Sequence, residues 1–143
     1  MDQRLSLVTL AVADLEATHR FYVDGLGWEA YVHVPGDVLM IKVADKVLLS
    51  LWDHDHFEAE VGPIATGQIG TGKGVAPITL AHNVASRGEV DKVLDAAKRA
   101  GADPVHDGAD RDWGGYTGYF GDPDGYRWEV AWAPGEVGEA VLP

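Results

Sequence analysis

The sequence contains no cysteine among its 143 residues. This absence excludes disulfides, zinc sites built from thiolates and a cysteine nucleophile. Basic residues are scarce as well, with 11 Lys and Arg against 23 Asp and Glu, so the formal net charge is −12. A field of that sign repels nucleic acids and anionic membranes and favours cationic ligands. We therefore expect neither a nucleic acid nor a membrane as a partner.

Long apolar runs are also missing, and none approaches the roughly 20 residues that a membrane-spanning helix requires. The first residues lack a basic region followed by an apolar core, so we expect no export signal and a cytoplasmic location. What the chain does have is 46% hydrophobic and 24% charged residues. That composition is typical of a globular domain that buries a sizeable core.

Two segments of the chain have the pattern of a repeated unit. The tripeptide Thr-Leu-Ala occurs at 9–11 and again at 79–81, and each copy precedes a helical pattern followed by three β-like segments. The predicted strands after the first helix are 31–34, 38–43 and 47–52, and those after the second lie at 105, 115–120 and 126–132. Each unit therefore reads β-α-β-β-β, and the 70-residue offset suits a duplicated half-domain.

The helix boundaries are marked by capping residues. Asp14 is placed to cap the first helix, and Gly25 is expected to end it in the left-handed conformation. Ser86 and Glu89 have the spacing of a capping box, and the second helix is expected to stop before Gly101.

A glycine-rich segment at 57–74 separates the two modules, which we place at 4–56 and 75–134, with a tail at 135–143. Gly67 to Lys73 matches part of a phosphate-binding loop. However, Gly74 stands where that loop needs a magnesium-binding hydroxyl, and no helix start follows. We therefore interpret the segment as a linker or lid.

Two motifs make the chain resemble the vicinal oxygen chelate superfamily, which includes glyoxalase I, extradiol dioxygenases, fosfomycin-resistance thiol transferases and bleomycin-resistance proteins. The motifs are Leu10-Ala11-Val12-Ala13-Asp14-Leu15 with Phe21-Tyr22 and Gly25-Leu26-Gly27-Trp28, and Gly121-Asp122-Pro123-Asp124-Gly125-Tyr126-Arg127-Trp128-Glu129. The resemblance covers nearly the whole chain. It implies an α+β fold of two tandem βαβββ modules whose cupped mixed sheets surround one cavity, usually in a homodimer. It says little about the reaction.

Enzymes of that superfamily hold a divalent metal on a first-strand His and a last-strand carboxylate. The corresponding positions here are Leu7 and Ser50 in the first module, and Pro77 or Thr79 with Glu129 in the second. One carboxylate is too few for a metal that normally takes three protein ligands. We therefore expect no metal and no other cofactor.

The histidines elsewhere could rebuild a metal site. His54 and His56 would share a face if they continued the strand, and imidazoles at that spacing bind zinc or nickel. At a strand end, however, we favour ordinary solvated side chains, and a relocated site stays an alternative. His82 is one residue out of phase with Thr79 and Ala81, so it is expected on the helix side as a structural residue.

Aromatic and sparsely polar residues remain for a ligand. Glu129 and Tyr119 are the catalytic candidates, and the resemblance to fosfomycin-resistance enzymes implies substrate contacts at Tyr119 and Thr9. The predicted ligand-binding residues are Thr9, Trp52, Trp113, Tyr116, Tyr119 and Glu129. Trp113 and Tyr116 are expected to form an aromatic rim, whereas Trp128 and Trp132 are expected in the core and Asp122 in a turn.

Three functions compete. The first is a glyoxalase- or bleomycin-resistance-like protein that binds a small aromatic or cationic molecule without a metal. The second is an enzyme, a lyase, isomerase or dioxygenase, that uses Glu129 as base and Tyr119 as proton donor, or that has a relocated metal site. The third is a subunit or partner-binding module that has lost its ligand. We prefer them in that order.

Overall fold

The computed structural model describes residues 5–61 and 78–142, which divide into two compact units. Each unit contains a four-stranded mixed sheet with helices, as expected for an α+β fold of two tandem modules. The glycine-rich stretch with the loop-like match at 67–73 lies outside the described residues, as does Pro77. No helix in the described parts of the chain is long and apolar enough to cross a membrane.

The first unit has the sheet order β1-β4-β3-β2, with β1 parallel to β4 and the remaining pairs antiparallel. Its elements are β1 (Leu7–Val12), α1 (Leu15–His19), a π-helical turn (Arg20–Gly25), β2 (Ala30–Val34), β3 (Val38–Ala44), β4 (Val47–Asp53) and α2 (His54–Val61).

The second unit repeats this order as β5-β8-β7-β6, again with one parallel pair, β5 with β8. Its elements are β5 (Leu80–Asn83), α3 (Arg87–Ala100), β6 (Val105–Asp110), β7 (Tyr116–Gly121), β8 (Arg127–Trp132) and α4 (Gly135–Ala140).

The helix starts follow the predicted caps. The Asp14 carboxylate accepts a hydrogen bond from the Ala17 amide at 2.9 Å, and the Ser86 hydroxyl accepts one from the Glu89 amide at 3.3 Å. Each bond satisfies an amide that the first helical turn leaves unpaired. Gly101 ends α3 in the left-handed conformation with φ 102°, as predicted.

The conformation at the end of the first helix differs from the prediction. Gly25 lies inside the π-helical turn, and the residue with a positive φ, 74°, is Gly27. The wider turn explains the shift, because the Leu26 amide reaches back five residues to the Phe21 carbonyl at 2.9 Å. The helical segment therefore ends at Gly25, as predicted, but Gly25 is not the left-handed residue.

The chain after β4 also differs from the prediction. Helix α2 continues to Val61, so the start of the expected linker, from Phe57 onward, is helical. Asp53 explains where α2 begins, because its carboxylate accepts hydrogen bonds from the Asp55 and His56 amides at 3.1 and 3.3 Å.

Apolar side chains of each sheet pack under its own helices. In the first unit the most buried residues include Leu10, Leu39, Leu51 and, from the helical turns, Tyr22. In the second unit Val90 and Leu94 of α3 and Val130 of β8 are buried. Because side chains alternate along a strand, the residues between these positions point to the other face of each sheet.

The turn before β8 is built as the sequence predicts. Asp122 is buried, and its carboxylate accepts hydrogen bonds from the amides of Asp124 at 3.1 Å and Tyr126 at 2.8 Å. These bonds hold the turn that leads into β8 and so fix the register in which Glu129 meets β7.

Candidate functional site

A row of side chains crosses the second sheet on the face opposite α3. The strand register places Ala81 beside Glu129, Glu129 opposite Tyr119, and Tyr119 opposite His106. Residues directly opposite one another in a sheet share a face. Helix α3 covers the other face, where a side chain added at Gly118 would meet Leu94.

Tyr119 and Glu129 are joined by a short hydrogen bond. The Tyr119 hydroxyl donates to Glu129 Oε1 at 2.6 Å, and both side chains are half-buried. This bond, followed by desolvation, raises the pKa of Tyr119 above its ordinary value of 10.0, because the phenolate would face a carboxylate. Tyr119 therefore keeps its proton at neutral pH and acts as a donor.

Because the pKa of Tyr119 is raised in the folded state, the free energy of unfolding depends on pH in a predictable direction. The folded state holds the Tyr119 proton more tightly than the unfolded state, so the free energy of unfolding falls as the pH rises past about 10. Glu129→Gln replaces the charged acceptor of this bond with a neutral one and is expected to lower the pKa of Tyr119 towards 10. Tyrosinate absorbance measured against pH in the wild type, Tyr119→Phe and Glu129→Gln tests this; an unchanged titration curve in Glu129→Gln would contradict it.

Arg111 completes this face, although no signal in the sequence points to it. Its Nε donates to the Thr117 hydroxyl at 2.6 Å, and its Nη2 donates to the Thr117 carbonyl at 3.0 Å. The guanidinium carbon lies 5.7 Å from the centre of the Tyr119 ring. Thr117 and Tyr119 alternate along β7 and so share the face that carries Glu129.

Tyr116 lies on the other face. It pairs with Trp132, and its hydroxyl donates to the Asp91 carboxylate of α3 at 2.9 Å. The Arg87 guanidinium lies 5.4 Å from the Tyr116 ring and 5.3 Å from the Trp132 ring, and Arg87 also pairs with Asp110. The expected rim over Tyr119 and Glu129 is therefore wrong for Tyr116, because three residues along a strand reverse the face.

The remaining tryptophans of this unit divide between surface and core. Trp113 is 57% exposed in the loop before β7, where its ring lies against the Gly115 backbone. Trp128 is buried, as predicted, and stacks on Phe120 with ring centres 6.1 Å apart. Trp132 is only half-buried under the Arg87 guanidinium.

In the first unit, Thr9 lies directly beside Ser50, and Leu7 lies beside Leu48. Ser50 is buried, whereas Leu7 is 38% exposed. Thr9 is one residue out of phase with Leu10, which packs with the core, so Thr9 and Ser50 occupy the face away from that core.

Trp52 belongs to a polar group at the end of the same sheet. Its indole nitrogen donates to Asp37 Oδ1 at 3.0 Å, and His56 Nδ1 lies 3.1 Å from the same oxygen. An open depression is lined by Asp37, Trp52, His56 and Ala59. These contacts tie the start of α2 to the turn before β3.

The strand geometry assumed for His54 and His56 is wrong. Both residues belong to α2, where positions two apart point in different directions, and His54 contacts Asp55 rather than the Asp37 that His56 meets. His82 lies beside Val130 on the helix side of the second sheet, as predicted, but it is exposed, and partial desolvation lowers its pKa.

Among the described positions that the resemblance assigns to metal ligands, only Glu129 carries a carboxylate, whereas Leu7, Ser50 and Thr79 carry neither an imidazole nor a carboxylate. The neighbour of Glu129 on β5 is Ala81, which has no donor atom, and the last-strand position of the first unit is Ser50. Across 5–61 and 78–142, no three His, Asp or Glu side chains lie close enough together to hold a metal ion.

Comparisons with known proteins agree with this fold. The family model of the Glyoxalase/Bleomycin resistance protein/Dioxygenase superfamily matches residues 4–130. No curated protein sequence matches the chain significantly. Among solved structures, a glyoxalase-related enzyme from Fulvimarina pelagi is 31% identical, with a TM-score of 0.76 covering 90% of this chain and 87% of that one.

Two further structures have the same fold. A glyoxalase/bleomycin resistance protein/dioxygenase from Nocardioides is 25% identical, with a TM-score of 0.70 covering 92% of this chain and 83% of that one. A lactoylglutathione lyase from Agrobacterium tumefaciens is 26% identical, with a TM-score of 0.66 covering 92% of this chain and 94% of that one.

Proposed function

This chain belongs to the Glyoxalase/Bleomycin resistance protein/Dioxygenase superfamily, and on that premise we propose that it binds a small aromatic or cationic molecule without a metal. The observation that carries the proposal is the 2.6 Å hydrogen bond between Tyr119 and Glu129, on the sheet face that α3 leaves uncovered. A half-buried carboxylate held in this way is a polar anchor for a ligand.

The Glu129 carboxylate can accept further hydrogen bonds from a ligand. An ionised carboxylate has about four lone-pair sites, and Tyr119 uses one of them on Oε1. No other hydrogen bond to the Glu129 carboxylate comes from residues 5–61 or 78–142. A hydroxyl, amine or cation of a ligand therefore finds a charged acceptor that is already oriented by Tyr119, and bonds to charged acceptors are the stronger kind.

Trp113 is the aromatic candidate of the same unit. It is more than half exposed, and an aromatic face attracts a cation by about 0.5–2 kcal/mol. Tyr116 no longer belongs to the proposed site, because its hydroxyl is bonded to Asp91. Thr9 and Trp52 of the first unit stay untested predictions, and the face proposed here does not include them.

Catalysis is the second candidate, and the protonation state of Tyr119 favours it. Glu129 is a carboxylate base with a protonated phenol at its side, so it could accept a proton from carbon next to a carbonyl. The Tyr119 O–H could then turn from the protonated Glu129 to donate to the oxyanion that develops. Two of the similar structures are an enzyme related to glyoxalase and a lactoylglutathione lyase.

Trp fluorescence with a panel of compounds separates the two functions. The panel contains glutathione hemithioacetals, catechols, fosfomycin and bleomycin-like cations. We expect saturable quenching by a subset, weakened in Trp113→Ala and unchanged in the matched control His56→Ala. Turnover without added metal supports the enzyme, and binding without turnover supports sequestration. No binding by any compound would contradict both.

Metal content is a separate expected result. Protein purified without a histidine tag should contain far less than one divalent ion per chain, because Leu7, Ser50 and Pro77 or Thr79 stand where the resemblance places ligands. Elemental analysis after dialysis measures this. Stoichiometric zinc, nickel, manganese or iron that disappears in Glu129→Ala would contradict the proposal, and loss in His54→Ala would instead establish a relocated site.

We also propose a homodimer. Edge strand β2 exposes Tyr31 (66% exposed) and Val34 (44% exposed), and unpaired apolar edges of this kind favour association. Light scattering at micromolar concentration should therefore report about twice the 15.3 kDa mass of the chain. A monomer that persists at high concentration would contradict this proposal.

A further inference from the structure

Arg111 is held in one orientation on the face that carries Glu129. It directly follows β6, and its two hydrogen bonds to Thr117 involve both the side-chain and the main-chain oxygen of that residue. Thr117 is 1% exposed, so the acceptor is fixed within the sheet. The guanidinium is therefore positioned before any ligand arrives, which lowers the entropic cost of binding.

Among the described residues, none forms an ion pair with Arg111, although the chain has 23 acidic residues. By contrast, Arg87 is paired with Asp110. A guanidinium has five N–H donors, and the two bonds from Arg111 to Thr117 leave three.

Arg111 and Glu129 flank a single side chain. The cation lies over the ring of Tyr119, 5.7 Å from its centre, and the carboxylate accepts from the hydroxyl of the same residue. We propose that Arg111 determines specificity by binding an anionic group of the ligand. The ligand would then combine a carboxylate or similar anion with a hydroxyl or amine that donates to Glu129. This inference rests on the proposed function of the same face.

A guanidinium selects for such a group by geometry as well as by charge. Its planar fork matches the two oxygens of a carboxylate, and charge-assisted pairs of this kind are stronger than neutral hydrogen bonds. A neutral amide of the same shape loses the charge but keeps the remaining contacts. An acid and its amide are therefore matched probes for Arg111.

Mandelate and mandelamide provide that pair, because both have an aromatic ring and a hydroxyl donor. We expect the wild type to bind mandelate about tenfold or more tightly than mandelamide. In Arg111→Gln the two affinities should become nearly equal, with mandelamide binding as in the wild type. Arg111→Lys should retain part of the preference, since it keeps the charge without the fork. The matched control Arg87→Gln should retain all of it.

The possible results of these titrations test the role of Arg111 and the proposed function separately. Equal affinities in the wild type, or a preference that survives Arg111→Gln, would overturn the role of Arg111 and leave the proposed function standing. Binding of the fluorescence panel without binding of mandelate would overturn the role of Arg111 as well. No binding of mandelate, mandelamide or any panel compound would overturn the proposed function and this inference together.

Discussion

Gly118→Ala is expected to lower the free energy of unfolding by about 2–3 kcal/mol, the cost of overpacking a tight interior site. A Cβ at this position would collide with the Leu94 side chain and would lie 2.7 Å from the His106 carbonyl oxygen. Leu94 can turn aside, but the carbonyl belongs to the backbone of β6, so the pairing of β6 with β7 must shift. Urea denaturation of the full-length chain measures the loss.

Gly88→Ala is the matched control for this prediction. It makes the same chemical change in α3, where nothing lies within 4 Å of the new methyl group. Alanine has the higher helix propensity, so this variant should be as stable as the wild type or more stable by up to about 1 kcal/mol. If both variants unfold at the same urea concentration, the close packing of Gly118 against β6 is wrong.

Glu129→Gln is expected to weaken binding of the tightest panel compound by about tenfold or more. Glutamine has the same size and can still accept the hydrogen bond from Tyr119, so the fold is retained and the change removes mainly the charge. Fluorescence titration of the wild type and variant gives the ratio of dissociation constants.

Glu139→Gln serves as the control for Glu129→Gln, because it removes the same charge from an exposed site in α4 of the same unit. Its affinity should equal that of the wild type. Equal weakening in both variants would mean that the net charge of the chain, rather than Glu129, attracts the ligand.

Local signals account for the parts of the fold that the sequence predicted. The caps at Asp14, Ser86 and Gly101 act within a few residues, so their effect can be inferred without tertiary contacts. The left-handed residue after the first helix, Gly27, could not be placed, because the π-helical turn at Arg20–Gly25 has no comparable signature. Helix α2 could not be predicted, because its first residues, His54 to His56, directly follow a strand and have no apolar pattern of helical period.

The site depends on strand register, which the sequence predicts less well. Tyr119 and Glu129 were selected through the resemblance, and the register shows that they are direct neighbours. Tyr116 was assigned to the same rim because it is aromatic and close in sequence, but alternation places it on the α3 side.

Arg111 could not be selected from the sequence, because its contacts depend on the irregular pairing of β6 with β7. The register of these strands shifts between His106 and Ala109, and such a shift changes which side chains meet across the hairpin. The sequence contains turn residues at Gly114 and Gly115 but no sign of this irregularity. The position of the Arg111 guanidinium over the Tyr119 ring therefore follows only from the three-dimensional structure.

Mapping the amide chemical shifts of the chain during titration with the tightest panel compound tests the central claim most directly. Binding at the proposed face predicts the largest shifts at Thr117, Tyr119 and Glu129, with small shifts around the group of Asp37, Trp52 and His56. Shifts concentrated on that group, with Tyr119 and Glu129 unchanged, would contradict it.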